Sequence, residues 1–150
     1  MSLDRFLGSW SLRSFESRHP DGHVTYPFGD SPIGLVVFSA DGYASAHLMR
    51  PDRPRFPSPD AGPPSPEEAR QALTGFVAYY GRCEIDERAR TLVTHVEGSS
   101  IPNWMGGDQV RTFEFRGASL VLRPPARETP AGPVISELVW ERPPARPGSA

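Results

Sequence analysis

Four histidines, His19, His23, His47 and His95, are the side chains best suited to exchange a proton near neutral pH. His95 stands in Thr91-Leu92-Val93-Thr94-His95-Val96-Glu97, where strand alternation puts Val93, His95 and Glu97 on one face. Turned inward, the imidazole and carboxylate would form a general base and its orienter. Turned outward, they would be a solvated face, with Leu92, Thr94 and Val96 inside. The pattern leaves both arrangements open. His47 shares a face with Tyr43, Ser45 and Met49, either a pocket wall with a polar handle or the exposed side of a hairpin. Arg111 alternates with Phe113 and Phe115, a poor solvent face on which a guanidinium could hold a carboxylate or enolate, or pair with an inner Glu. Tyr79 and Tyr80 offer phenols. Ile101-Pro102-Asn103-Trp104-Met105-Gly106 is unusually apolar for a loop and reads as a lid. The candidates for acid–base chemistry are thus His95, Glu97, Arg111, His47 and Tyr80. Those for ligand contact are Tyr43, Met49, Tyr79, Asn103, Trp104, Phe113, Phe115 and Trp140.

Other chemistries lack their residues. No pair of histidines has zinc-motif spacing, and the single Cys83 completes no such set. No Gly-x-Ser-x-Gly, P-loop or dinucleotide fingerprint occurs. All 16 basic residues are arginine, so no lysine is available for a Schiff base. Neither a cofactor nor a metal is expected. The net charge of −2 gives no reason to expect a nucleic-acid partner. Asp4, Arg5 and Arg13 interrupt the first 15 residues, no membrane span is evident, and a lone cysteine forms no internal disulfide. These features point to a cytoplasmic protein; the sequence leaves its oligomeric state, monomer or homodimer, open.

The elements that must position these side chains are strands. Ser9–Ser17, Ile33–Ser39, Tyr43–Met49, Arg82–Ile85, Thr91–Gly98, Gln109–Arg116, Ser119–Arg123 and Val134–Arg142 are rich in β-branched, aromatic or alternating residues. His23–Tyr26 could pair back on the first. Asp41-Gly42 marks a tight hairpin. Ser65-Pro66-Glu67-Glu68 carries a capping box and a proline at the first helical position, which predicts a short helix over about 66–78. Gly8-Ser9-Trp10 opens the first strand and Trp140-Glu141-Arg142 closes the last, a pairing suited to a sheet whose ends meet, with the guanidinium across the indole. The expected fold is all-β: a closed antiparallel barrel of about eight to ten strands with one helix packed on it. It would form one domain over 1–142, followed by a flexible tail over 143–150.

Taken in order, several short pieces resemble the bacterial and fungal lipocalin-like domain family of small intracellular proteins. They include Leu7-Gly8-Ser9-Trp10-Ser11-Leu12, Tyr26-Pro27-Phe28-Gly29, Pro32-Ile33-Gly34 and Asp41-Gly42-Tyr43. Further along come Arg53-Pro54-Arg55-Phe56, Ala78-Tyr79-Tyr80-Gly81, Thr94-His95-Val96-Glu97-Gly98-Ser99, Pro102-Asn103-Trp104, Gln109-Val110-Arg111 and Trp140-Glu141-Arg142. The resemblance spans Leu7 to Arg142 and implies a lipocalin-like barrel with an internal cavity. Cys83 departs from it, standing where a Tyr is expected. The expected function is binding of a small, largely hydrophobic molecule, with cofactor-free acid–base chemistry of secondary metabolism as an extension. The alternatives are a cofactor-independent isomerase, cyclase or dehydratase on a polyketide- or terpenoid-like substrate, and an interaction module with a filled barrel.

Overall fold

The computed structural model describes residues 3–57 and 62–148. Ten strands form one sheet: β1 (Gly8–Arg18), β2 (Val24–Thr25), β3 (Ile33–Phe38), β4 (Tyr43–Met49), β5 (Phe76–Asp86), β6 (Thr91–Ser99), β7 (Asp108–Arg116), β8 (Ser119–Arg123), β9 (Arg127–Thr129) and β10 (Gly132–Glu141). Every pairing is antiparallel, and β1 pairs with β10 from Ser11 opposite Glu141 to Arg18 opposite Ile135. That last pairing closes eight strands into a barrel. The short β2 and β9 extend β1 and β10 at one end. Closure removes the free edges that an open sheet of this size would expose.

Tight connections gather at the floor, where residues 39–42, 87–90 and 117–118 join successive strands. The N-terminal turn drives Phe6 into this floor, 1% exposed, and Phe6 meets Phe38, Phe113 and Phe115 edge-on at 5.0–5.4 Å. Trp10 stands beside it, its indole N–H donating to the Phe6 carbonyl at 2.8 Å. Phe6 precedes the first strand, and no alternation in the sequence marks it.

A bulge in β1 shifts the register between Leu12 and Ser14. Trp10 and Leu12 face inward before it, Phe15 and Ser17 after it. One extra residue switches the inner face from even to odd positions.

The predicted helix is shorter than its pattern. α1 covers Pro66–Leu73, with the expected capping box between Ser65 and Glu68. Gly75, at φ +77, then turns the chain, and Phe76 and Val77 belong to β5 rather than to the helix. A Cβ on Gly75 would come within 2.5 Å of the Arg50 side chain, so the residue also permits that close approach. α1 buries no residue and leaves Leu73 exposed at the rim. β9 has no counterpart in the sequence reading, because prolines surround it. The irregular Pro51–Pro66 stretch and the 143–150 tail fall in part on residues 58–61 and 149–150, outside the described residues. Among the described residues no helix is long and apolar enough to cross a membrane.

Candidate ligand cavity

Above the aromatic floor the barrel keeps a cavity of about 310 Å³. That is the lower end of the volumes found for small-molecule sites, roughly 300–1,000 Å³. Small residues make the room: Ala44 and Ala46 are two of the three inward positions of β4, and Gly81 opposes Ala44 on β5. The wall is otherwise large and apolar, with Phe15, Phe28, Leu48, Leu138 and Trp140 among its members. At the open end, Pro102–Trp104 makes one turn of 3₁₀ helix. It sets Trp104 edge-on to Tyr79, with centroids 5.5 Å apart.

The polar part of the wall is concentrated on β5 and β7. Tyr79, Gln109 and Arg111 all line the cavity. Arg111 donates to the Val110 carbonyl at 2.8 Å and to Gln109 Oε1 at 3.3 Å. Burial pushes the Tyr79 phenol up, and the neighbouring Arg111 opposes that shift only in part, so Tyr79 is neutral at physiological pH. Thr94 also lines the cavity, opposite Cys83 on β5. Burial raises the Cys83 thiol to about 12, which makes it an unreactive packing group.

The other candidates occupy different places. His95 and Glu97 are on the outer side of β6, with Leu92, Thr94 and Val96 buried behind them. His95 Nδ1 is 2.7 Å from Asp108 and Nε2 is 2.7 Å from Glu84, so its ring is oriented by those carboxylates and not by Glu97. These bonds raise its pKa, the Glu84 bond first and the Asp108 bond second. His47 and Tyr80 are also exposed, together in a shallow outer groove with Ser45 and Ser99. Tyr43 lies outside beneath the Arg82 guanidinium, and Met49 outside against Arg53. Asn103 is exposed beside Trp104.

Arg111, Tyr79, Trp104 and Trp140 are therefore the candidates that the fold brings together around the cavity. Phe113 and Phe115 keep the inner face expected of them, but pack in the floor around Phe6. Of the two arrangements open for the 91–97 run, the structure has the outward one, which takes His95 and Glu97 off the cavity wall. The even positions Leu92, Thr94 and Val96 are the more apolar of the two faces and are the ones buried. Sequence reasoning missed Phe15, Phe28, Thr94 and Gln109. Gln109 alternates with Arg111 and was legible; Phe15 was hidden by the bulge.

A family model described as a lipocalin-like domain matches residues 7–143. The chain belongs to the lipocalin-like domain family. Over 84 residues, this lipocalin-like protein is 33% identical to the 4'-hydroxy-3'-methoxypropiophenone carrier protein of Aspergillus oryzae, covering 52% of this chain and 76% of that one. The crystal structure of an uncharacterized protein from Bacteroides eggerthii is also similar, at 15% identity and a TM-score of 0.42, over 91% of this chain and 98% of its own. Family membership and the carrier relative support small-molecule binding in general terms.

Proposed function

We propose that this lipocalin-like protein binds and carries a small, largely apolar molecule with an aromatic body, held within the barrel. One observation carries the reading: a cavity of about 310 Å³ whose wall is aromatic and aliphatic, with polar groups confined to one side. Apolar surface removed from water supplies the affinity, and a few fixed polar groups set orientation. The Aspergillus oryzae relative is named as a carrier of a methoxylated phenolic ketone, and a flat oxygen-bearing aromatic of similar size is the cargo class assigned here.

Carriage is favoured over cofactor-free isomerisation or cyclisation because of which groups reach the cavity. Proton transfer needs an acceptor within hydrogen-bond reach of the substrate. His95, Glu97, His47 and Tyr80 stand on the outer surface, while Tyr79 is held neutral by burial.

Trp104 and Trp140 line the cavity, so intrinsic fluorescence reports its occupancy. Titration with the neutral probe N-phenyl-naphthylamine is expected to quench that fluorescence saturably, at one probe per chain and micromolar or tighter Kd. Absence of saturable binding by this probe and by other small aromatic probes, charged or neutral, would remove the carrier reading.

A further inference from the structure

Among the described residues Arg111 is the one charged side chain in the cavity wall. It donates to the Val110 carbonyl and the Gln109 side-chain oxygen and has the Tyr79 hydroxyl as a neighbour, all neutral groups. A guanidinium carries five N–H donors, so donors remain beyond these contacts. Among the described residues no carboxylate lies within ion-pair distance of Arg111. The contrast is with Arg116 and Arg123 on the outer surface of the same region, which share Glu114 and Glu137 at 2.8–3.3 Å.

Arg111 is half-buried where it borders the apolar cavity, and an anion entering beside it gains a charge-assisted hydrogen bond that a neutral group does not. The planar guanidinium fork matches a carboxylate through two parallel hydrogen bonds. Tyr79 adds to the fit: its hydroxyl stands beside Arg111 in the same wall and is a donor.

We propose that the cargo is an acid, with its carboxylate set against Arg111 between Gln109 and Tyr79. The apolar body then lies among Phe15, Leu48, Leu138 and Trp140. This rests on the carrier reading and names the chemistry of its ligand. The barrel favours acids over neutral analogues of the same shape, because an uncharged head leaves the guanidinium donors at the cavity without an anionic acceptor.

The test compares naphthylacetate with its methyl ester on the intact chain, by tryptophan fluorescence and calorimetry. The acid is expected to bind about 10-fold or more tightly than the ester, the range of a charge-assisted hydrogen bond. In Arg111→Gln that ratio is expected to fall to near unity, and Arg111→Lys, which keeps charge without the fork, to give an intermediate ratio. Ester binding as tight as acid binding in the wild-type chain would overturn the proposal without need of a variant, so a poorly folding Arg111→Gln does not shield it. If N-phenyl-naphthylamine binds and naphthylacetate does not, the acid assignment falls and the carrier reading stands. If none of the three binds, both fall.

Discussion

The guanidinium of Arg142 lies over the indole of Trp10, 3.8 Å from the ring centroid. It also donates to the Ser9 carbonyl at 3.1 Å and the Arg5 carbonyl at 3.3 Å. The residue just past the last strand therefore clasps the start of the first, at the seam where β1 meets β10. Trp10 is 4% exposed, whereas Arg142 stays exposed at the surface. The two contribute unequally: the indole fills the floor, and the cation covers it.

Trp10→Ala is expected to destabilise the fold by ~3–5 kcal/mol, the loss typical of a buried aromatic truncated to alanine. Arg142→Ala should cost only about 0.5–1 kcal/mol, as for an exposed cation–π contact. Urea unfolding of both variants checks the ordering. Similar losses would mean that the floor is held mainly by the clasp.

Ala46→Phe should abolish N-phenyl-naphthylamine binding while the chain stays folded. The added ring would occupy the space that Ala44 and Ala46 leave in the cavity. Fluorescence titration, with circular dichroism as the fold control, measures this. Undiminished binding in the folded variant would place the probe outside the barrel.

Gly81→Ala should be disproportionately harmful for a one-carbon change. A Cβ there would come within 1.8 Å of the His95 carbonyl oxygen, and backbone cannot yield as a flexible side chain does. Thermal unfolding is expected to show a loss of about 1–3 kcal/mol, the usual range for overpacking. Gly22→Ala is a useful contrast: it meets no atom within 4 Å, and its cost comes from its φ of +91 alone.

His95 should titrate above its ordinary value of about 6.5. Both ring nitrogens face carboxylates, so the doubly protonated ring donates to Glu84 and Asp108, while the neutral ring turns a lone pair towards one of them. Because the folded pKa is raised, the associated stability is fully present below about pH 6.5 and is lost as pH rises through the folded value. The side chain is 44% exposed, so solvent screening keeps the effect small. NMR titration of the His95 ring should show Glu84→Gln lowering its midpoint. An unchanged midpoint would mean that the Glu84 contact is not maintained in solution.

Much of the architecture was legible because it depends on local rules. Asp41-Gly42 specifies a tight hairpin, Ser65 with Glu68 a helix start, and alternation in 109–115 the shared face of Arg111, Phe113 and Phe115. Trp10 and Arg142 foretold the closing seam, since a β-strand beginning with a large aromatic needs cover. The inner wall was only half legible. Alternation defines two faces, and a titratable pair such as His95 and Glu97 suits either a polar cavity wall or solvent, so for 91–97 the pattern left the inner face open. Closure between β1 and β10 decided that parity, turning Thr94 in and His95 out. The bulge after Leu12 decided it again within a single strand and brought Phe15 to the cavity. Local sequence determined the strands, their turns and the presence of one cation among aromatics. Tertiary closure decided which side chains share the enclosed volume, because that depends on register summed around eight strands rather than on any one of them.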